Sequence, residues 1–324
     1  MSDSPSSMDR WLSASTIAEG ATQSFAGWEL LGRRIQGIIS WNMNDSCNYR
    51  CSYCTQRNMA DRRGVLAGER FQQALDTFAR LPGSWEIKLS GGEPFRQPEL
   101  VEITRQLVEQ GHCISIQTNF SASEDRVREF LESTRGALNL FSASLHLEYD
   151  SPQAFLAKYQ WIRPYESLGV RFHVTSVAVP DRLLQLRDEI APFFKSHGIM
   201  FKVQPEKIDG YVRDYTADEQ EILLQLGGHN HTGKIENNFQ GKRCRSGANY
   251  LVVKSNGKAF RCYPASRLGG KFAERGSLKD GFQLLDGPAI CPYTYCNCTV
   301  PIQRGMIEGY IPPLVERGTL ELEE

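Results

Sequence analysis

The sequence has no surplus of charge of either sign. Its 324 residues include 37 Lys and Arg against 38 Asp and Glu, a formal net charge of −1. A protein that binds DNA, RNA or an anionic membrane by electrostatics needs an extended positive surface, and this composition does not supply one. We therefore expect neither a nucleic-acid partner nor a membrane partner.

Long apolar runs are also missing. No segment approaches the ~20 apolar residues that cross a bilayer. Residues 1–27 are rich in Ser and Ala, without the basic and apolar regions of a secretory signal. We expect a cytoplasmic protein, in which thiols stay reduced. The length allows one large domain with a smaller appendage, or two modest domains.

Cysteine, by contrast, is plentiful: nine cysteines in a cytoplasmic protein indicate metal or redox chemistry rather than disulfides. They form two groups and one isolated residue. The first group is Cys47, Cys51 and Cys54, the second is Cys244, Cys262, Cys291, Cys296 and Cys298, and the isolated residue is Cys113. Two groups predict two metal centres. We expect Cys113, at the start of a predicted strand, to be a small buried apolar residue.

The first group has C-x3-C-x2-C spacing and follows the apolar run Ile35–Trp41. Three thiolates so close in sequence can hold three irons of an iron–sulfur cube and leave the fourth iron open. A zinc site usually needs a further Cys or Cys/His pair nearby, and no histidine lies between Cys54 and His112. A disulfide is sterically awkward among three such close cysteines.

With Tyr53 before its last cysteine, this array resembles the cluster-binding signature of the radical S-adenosylmethionine (radical SAM) superfamily. The resemblance implies a [4Fe-4S] cluster whose open iron chelates the amino and carboxylate groups of the methionine moiety of S-adenosylmethionine. It also implies one-electron cleavage of the sulfonium to a 5′-deoxyadenosyl radical. Tyr53 is then expected at the edge of the nucleoside.

Short β-branched runs alternate with amphipathic stretches from Ile35 to about Glu206. The predicted strands are Ile35–Trp41, Trp85–Ser90, Cys113–Thr118, Leu138–Leu145, Val170–Val179 and Met200–Gln204. The predicted helices are Ala67–Arg80, Pro98–Gln110, Glu124–Glu132, Pro152–Leu168 and Leu183–His197. Such β/α units predict a parallel sheet with right-handed crossovers, and six are too few to close an eightfold barrel. The predicted fold class is α/β, a partial (β/α)6 TIM-like barrel.

The predicted strands are polar at alternate positions, although parallel strands covered on both faces are almost continuously apolar. The polar positions are Lys88, Ser90, Ser115, Gln117, Asn119, Ser142, Ser144, His146, Arg171, His173, Thr175, Lys202 and Gln204. They predict a polar lumen with ligands at the carboxyl ends of the strands. The alternative is a one-residue shift in individual strands, or an exposed face on an edge strand.

Gly91, Gly92, Glu93 and Pro94 follow the second predicted strand. Paired glycines let a ligand approach the backbone, and the Glu93 carboxylate can accept bonds from an ammonium group. Alone, the segment is equally well explained as a plain β–α turn. Placed one strand after the cysteine loop, it is similar to the radical SAM segment that holds the methionine amino group.

Two further strand ends, at Asn119 and Ser144, resemble the nucleoside contacts of the family, because amide and hydroxyl groups can bond the ribose and carboxylate. Many relatives with an extra cluster have Ser-Leu-Asp where this chain has Ser144, Leu145 and His146. His146 is therefore a candidate for a ribose or substrate contact, a proton-transfer group or a structural cap. The fifth predicted strand lacks the G-x-I-x-G-x-x-E pattern of the adenine contacts.

The β/α alternation stops after about Asp209. Ala217–Leu226 predicts a linking helix, and Asn256-Gly257 between two β runs predicts a hairpin that returns Cys262 toward Cys244. The C-x17-C spacing and the G-x4-C inside it resemble the twitch module, a shortened SPASM domain. The resemblance implies an auxiliary [4Fe-4S] cluster in a small C-terminal α+β module containing the hairpin.

The second group has five cysteines, one more than a single cluster needs. The fifth can be a structural thiol or a hydrogen-atom donor, and a structural zinc knuckle of Cys244, Cys262, Cys296 and Cys298 is the alternative to a cluster. The predicted domains are a flexible lead-in (1–27), a radical SAM core (28–209), and a linker helix with a twitch/SPASM-like auxiliary-cluster domain (210–324).

These inferences predict a radical SAM oxidoreductase or epimerase that takes a hydrogen atom from a polar small molecule, such as a sugar, aminocyclitol or nucleoside. Oxidation, epimerisation or rearrangement would follow. A reductant such as flavodoxin or ferredoxin is the expected protein partner. A peptide substrate is the second hypothesis, weakened because fewer than 35 residues precede the first predicted strand. A non-catalytic zinc-binding protein is the third.

Overall fold

The protein is described here by a computed structural model. The model describes residues 28–55, 68–226, 238–296 and 299–310. The predicted lead-in, the first residue of the helix predicted at Ala67–Arg80, and Cys298 lie outside the described residues. None of the described helices is long and apolar enough to cross a membrane.

Six parallel strands form the centre of the main sheet. They are β2 (Arg33–Asn42), β3 (Ser84–Ser90), β4 (Cys113–Thr118), β5 (Leu138–Ser144), β6 (Arg171–Ala178) and β7 (Met200–Pro205). A short strand, β1 (Trp28–Leu30), pairs antiparallel with β2. The six predicted strands are therefore confirmed to within two residues at each end, as is the partial barrel of β/α units.

Helices connect these strands and cover one face of the sheet. The α-helices of this part are Glu69–Ala79, Leu100–Glu109, Glu124–Ser133, Pro152–Ile162, Leu183–Gln185 and Ala191–Ser196. The segments Pro94–Arg96, Arg163–Leu168 and Pro180–Arg182 are 3-10 helices, and Leu186–Ile190 is a π-helix. The helix predicted at Pro152–Leu168 thus changes to 3-10 geometry after Ile162. Pro164 explains the change, because it lacks the backbone N–H that an α-helix interior needs.

The C-terminal part consists of short elements. Its strands are β8 (Lys207–Ile208), β9 (Tyr211–Val212), β10 (Arg243–Cys244), β11 (Tyr250–Val253), β12 (Lys258–Phe260), β13 (Glu274–Ser277), β14 (Gly281–Phe282) and β15 (Ala289–Ile290). Its helices are Ala217–Leu226, Tyr263–Leu268 and Thr299–Gln303. The structure confirms the predicted linking helix and the predicted hairpin, which β11 and β12 form around Asn256-Gly257.

The hairpin is joined to the core sheet. Strand β11 pairs in parallel with β2, with Tyr250 opposite Ile38 and Val253 opposite Trp41. The strand order is β14-β13-β12-β11-β2-β3-β4-β5-β6-β7, and the sheet runs without a break across the domain boundary predicted at residue 209. The sequence does not reveal this pairing, because more than two hundred residues separate the two strands.

The two faces of β2 belong to two different cores. Ile39 and Trp41 pack with the helices in the main hydrophobic core. Ile38 packs on the other side, with Tyr250 and the buried cysteines of the C-terminal part. The Oγ of Ser40 lies 3.1 Å from the hydroxyl of Tyr250 on that same side. The C-terminal part therefore covers the inner face of the sheet beside β2 and β11.

Polar side chains form rows across the inner face. Ser115 is opposite Lys88, and His173 is opposite Ser142, whose Oγ lies 2.6 Å from His173 Nε2. Thr175 lies between Ser144 and Lys202 in the next row. The register confirms that the alternate polar positions share one face, and it does not fit the alternative of strands shifted by one residue.

Glu86, which the sequence pattern missed, is the buried acid of this face, with none of its surface exposed. Its Oε1 accepts hydrogen bonds from Ser115 Oγ at 2.6 Å and Asn139 Nδ2 at 2.9 Å. Its Oε2 forms an ion pair with Arg304 Nη2 at 3.6 Å. Burial alone would raise the pKa of Glu86. The charges of Lys88 and Arg304 and the two hydrogen bonds outweigh burial and lower the pKa to about 2.

We predict that Glu86→Gln lowers the free energy of unfolding at pH 7 by about 3–5 kcal/mol, because it removes a fully buried carboxylate that two hydrogen bonds and the charges of Lys88 and Arg304 stabilise. The pKa of Glu86 is depressed from 4.5 to about 2. Its stabilising effect is therefore complete above pH 4.5 and is lost as the pH falls toward 2. Urea unfolding of both proteins between pH 7 and pH 3 should show the difference shrinking.

Glu109→Gln is the control, because Glu109 forms an exposed ion pair with Arg105 on a helix surface. It should change the free energy of unfolding by less than about 0.5 kcal/mol. Equal effects of the two substitutions at pH 7 would contradict the role given to Glu86.

Candidate functional site

The first cysteine group lies in a loop at the carboxyl end of β2. Cys51 is buried, and Cys47 and Cys54 are half-buried. Two hydrogen bonds from backbone N–H groups shape the loop: Cys54 N donates to Cys51 O at 3.1 Å, and Tyr49 N donates to the Cys47 sulfur at 3.4 Å. All three predicted ligands of the first centre are thus on one short, tightly turned segment at the edge where α/β proteins bind ligands.

The three thiols lie close enough to affect one another electrostatically. Burial raises the pKa of Cys51 to about 12, and the negative charges of Cys54, Glu148 and Cys47 add to the effect. Burial likewise raises the pKa of Cys47. Three thiolates in this loop are therefore unfavourable without a cation beside them. Bound iron would supply that positive charge, so the loop fits an iron–sulfur cluster.

The thiols of the first group can hold a cluster without converging on one point. Within the described ranges, no three His, Cys, Asp or Glu side chains lie close enough to hold one metal ion together. Thiolates around an iron–sulfur cube each bind a different iron and can therefore lie further apart.

The Gly-Gly turn packs directly against the start of the cysteine loop. Gly92 N donates to Asn44 O at 2.9 Å and Glu93 N donates to Ser46 O at 2.7 Å. A Cβ on Gly92 would lie 2.2 Å from Ser46 O, and one on Gly91, whose φ is +141°, would lie 2.6 Å from Asn44 O. The two glycines are required because the two backbones approach so closely. The approach of a ligand, expected from the sequence, stays a prediction.

The Glu93 carboxylate binds the chain itself. Its side chain is 2% exposed. Its Oε1 accepts from Thr118 Oγ1 at 2.6 Å and Phe95 N at 3.1 Å, and its Oε2 accepts from Asn119 N at 2.7 Å. Burial raises its pKa to about 7, and these three bonds limit the rise. Glu93 thus fastens the turn, including the buried Pro94, to the end of β4. The contact of the Glu93 carboxylate with a ligand ammonium group stays a prediction.

Asn119 joins the end of β4 to the cysteine loop. Its Nδ2 donates to Asn48 Oδ1 at 3.0 Å and lies 4.0 Å from the Cys47 sulfur. Ser144, one strand further on, lies half-buried with its Oγ 3.3 Å from Gln117 Nε2 and 3.5 Å from Thr175 Oγ1. Both predicted ligand contacts are therefore at the carboxyl edge, and Asn119 is beside the first cysteine.

His146 faces the cysteine loop. Its Nδ1 lies 2.9 Å from the Tyr53 hydroxyl and 3.4 Å from the Cys51 sulfur, and its ring stacks on Tyr53 with centroids 5.9 Å apart. Burial lowers its pKa to about 4, against the opposing charge of Glu148, so the imidazole is neutral at pH 7. The structure therefore pairs His146 with Tyr53. A direct contact with substrate or nucleoside stays a prediction for both residues.

Two residues that sequence reasoning missed brace the same loop. Glu148 accepts from Ser52 N at 3.0 Å and also from the Ser52 hydroxyl. The Tyr149 hydroxyl accepts from Arg50 N at 2.8 Å, and its ring stacks on Tyr49 with centroids 4.2 Å apart. These contacts join segments almost one hundred residues apart, and no spacing in the sequence indicates them.

Four cysteines of the second group line one cavity. Cys244 ends β10, Cys262 follows β12, Cys291 follows β15, and Cys296 comes five residues later. Pairing of β10 with β15 places Cys244 opposite Ala289, and Cys291 N donates to Lys242 O at 2.8 Å. The structure thus brings these four predicted ligands together. Cys113 is fully buried near Leu30, as predicted.

We predict that Gly92→Ala prevents assembly of the first centre, because the new methyl group would displace the backbone of Ser46, next to Cys47. Anaerobically reconstituted variant protein should contain about half of the iron of the unchanged protein, since the second centre stays intact. Gly287→Ala is the matched control, because a Cβ there meets nothing within 4 Å. Full iron content in the Gly92 variant would contradict this role.

We also predict that Glu148→Ala speeds the loss of iron from the first centre about tenfold, because the Ser52 segment loses its acceptor. The measurement is the rate of iron transfer to a chelator under anaerobic conditions. Glu129→Ala, which removes an exposed carboxylate from a distant helix, is the control. Identical rates for the two variants would show that the brace does not hold the loop.

Comparison with known proteins agrees with this geometry. Residues 41–165 match the family model described as the Radical SAM superfamily. Among curated proteins, the chain is similar to the GTP 3′,8-cyclase of Aquifex aeolicus (strain VF5), at 26% identity over 212 residues. That match covers 58% of this chain and 64% of the relative, so the chain spans less than two thirds of its length.

Solved structures show a related fold. The structure of histidine-tagged anSMEcpe with bound AdoMet matches with a TM-score of 0.53 at 15% identity, covering 75% of this chain and 74% of that chain. Streptococcus suis SuiB bound to precursor peptide SuiA matches with a TM-score of 0.53 at 15% identity, covering 74% of this chain and 62% of that chain. Residues 41–165, with the partial barrel and the cysteine loop at its carboxyl edge, therefore match the Radical SAM superfamily.

Proposed function

We propose that this protein reductively cleaves S-adenosylmethionine and takes a hydrogen atom from a polar small molecule, with help from an auxiliary [4Fe-4S] cluster. One observation carries the proposal. The three-cysteine loop is held by backbone hydrogen bonds against the Gly-Gly turn, at the carboxyl end of a sheet whose inner face is polar. The cofactor and the substrate would meet at this edge.

Cys47, Cys51 and Cys54 would hold the first cluster, and the open iron would hold the methionine moiety. When bound, the pair supplies one-electron cleavage of the sulfonium to methionine and a carbon-centred radical. The chain positions these groups. Asn119 lies beside Cys47, and Ser144 ends the neighbouring strand. The amide of Asn119 and the hydroxyl of Ser144 can bond the cofactor from these positions. Tyr53 and His146 close the side of the loop around Cys51.

The inner face supports a small hydroxylated substrate. Buried Ser142, Thr175 and Lys202 offer hydroxyl and ammonium groups across neighbouring strands. Similarity to a GTP 3′,8-cyclase is consistent with a nucleoside-like or sugar-like molecule. The complex of SuiB with its precursor peptide is similar to this chain in fold alone, because the two sequences are only 15% identical. A peptide substrate is therefore the alternative that the deuterium experiment below is designed to detect.

Cys244, Cys262, Cys291 and Cys296 would hold the auxiliary cluster. They are buried around one cavity, and no three of the described metal-ligating side chains surround a point where a single ion would bind. A cluster there can accept the electron of a substrate radical, bind the substrate or relay an electron. In the first case the substrate loses a hydrogen atom to the adenosyl group, then one electron to the cluster and one proton to solvent.

The proposal includes a cytoplasmic location and a reductant protein. Each cleavage consumes one electron, and a flavodoxin or ferredoxin is the class of donor that would deliver it at low potential.

We predict that anaerobically purified protein is brown and contains about eight irons with matching sulfide. Dithionite-reduced protein should release 5′-deoxyadenosine from S-adenosylmethionine. Cys51→Ala should abolish this release and keep about half of the iron. Cys262→Ala should retain uncoupled release and lose substrate turnover, because it affects only the second centre. Colourless protein with zinc, or equal loss of cleavage in both variants, would contradict the proposal.

The substrate class can be tested with deuterium. Perdeuterated sugars, aminocyclitols, nucleosides and a peptide panel would be incubated separately with the reduced protein. Deuterium in 5′-deoxyadenosine identifies the substrate and the attacked position. Transfer from peptides alone would overturn the small-molecule assignment and leave the radical chemistry standing.

A further inference from the structure

Arg261 is a buried cation at the second cysteine group. Its side chain is 2% exposed and is among the largest fully buried side chains described. It lies between the end of β12 and Cys262, and its backbone N donates to Ala273 O at 2.9 Å. It lines the same cavity as Cys244, Cys262, Cys291 and Cys296. Its charge is therefore fixed beside four thiols.

The guanidinium is poorly compensated by the protein. Nη1 lies 3.4 Å from Ile290 O and Nη2 lies 3.5 Å from Ala289 O, both at the long end of hydrogen-bond distances. Nε has no hydrogen-bond partner among the described residues. The two contacts that exist are with carbonyl groups of the strand leading to Cys291.

A buried arginine in this state is energetically costly. Arginine cannot shed its proton inside a protein, so the site must supply a negative charge to offset its desolvation. A [4Fe-4S] cluster with four thiolate ligands carries a net charge of about −2 when oxidised and about −3 when reduced, and that charge sets its potential. The cavity is where such a charge would lie.

We propose that Arg261 is a positioning residue of the auxiliary centre: its charge compensates the cluster, and its Nε–H donates to a cluster or cysteine sulfur. This proposal rests on the proposed auxiliary cluster. Hydrogen bonds and positive charge near the sulfurs favour the reduced state. Arg261 therefore raises the potential of the auxiliary centre and makes it a better electron acceptor.

A purely structural role for Arg261 makes a different prediction. If its only task were to bond the carbonyls of Ala289 and Ile290, its replacement would change the stability of β15 and leave the potential unchanged. The midpoint potential separates the two roles, because it responds to charge and hydrogen bonding at the cluster itself.

The experiment uses full-length protein carrying Cys51→Ala, so that only the auxiliary centre contributes a signal. Arg261→Gln and Arg261→Lys are compared with the parent by redox titration followed by electron paramagnetic resonance. The Gln variant should lower the equilibrium constant for reduction about tenfold, which is about 59 mV for one electron. The Lys variant, which keeps the charge without the Nε–H donor, should lower it about threefold.

Arg275→Gln is the matched control. Arg275 lies near Arg261 but is bonded through Nε to Glu274 O and is not among the cavity residues. Its replacement should change the equilibrium constant less than twofold. A potential in the Arg261 variants equal to that of the parent would overturn the inference and leave the auxiliary cluster standing.

Iron analysis separates this failure from a failure of the proposed function. A Cys51→Ala parent that binds no iron shows that the auxiliary cluster does not exist. If only the Arg261→Gln variant fails to bind iron, the Arg261→Lys variant decides between the two roles. A threefold fall in its equilibrium constant for reduction supports the role of Arg261, and an unchanged equilibrium constant overturns it.

Discussion

The site depends on one close contact between two stretches of backbone. The start of the cysteine loop lies on the Gly-Gly turn, with Asn44 O and Ser46 O accepting from the N–H groups of Gly92 and Glu93. Only glycine permits this distance, because a Cβ on Gly91 or Gly92 would overlap a carbonyl oxygen. The Glu93 carboxylate then fastens the turn to β4 through Thr118 and Asn119. The loop is thereby fixed to three strands before any metal binds, which lowers the cost of ordering its ligands.

The second cysteine group is connected to the first through the sheet. Strand β11 pairs with β2, so the C-terminal part continues the sheet that carries the cysteine loop. Its buried cysteines pack against Ile38 on the inner face of β2, and Arg304 reaches Glu86 on the same face. The inner face is therefore shared by polar core residues and the candidate auxiliary centre. A substrate on this face would lie between the first centre and residues contributed by the C-terminal part.

Periodic patterns and short motifs in the sequence predicted much of the fold and the first cysteine group. The six core strands, the linking helix and the hairpin follow from periodicity and turn residues, and short spacing identified the first cysteine group. Contacts between distant segments were not predictable in this way. Glu148 and Tyr149 brace the loop across almost one hundred residues. Glu86 was missed although it alternates with Lys88, since acids are seldom fully buried. The sequence explained the two glycines after β3 only in part. It predicted that they admit a ligand, and the structure shows that they admit the backbone of the cysteine loop.

We propose that one iron of the first centre is open and binds S-adenosylmethionine through its amino and carboxylate groups. The most direct measurement is electron–nuclear double resonance on the reduced protein with S-adenosylmethionine labelled with ¹⁵N in the amino group and ¹⁷O in the carboxylate. The account predicts hyperfine coupling of both labels to the cluster in unchanged protein, and none in Cys51→Ala. Absence of coupling in protein that carries its full iron content would contradict it.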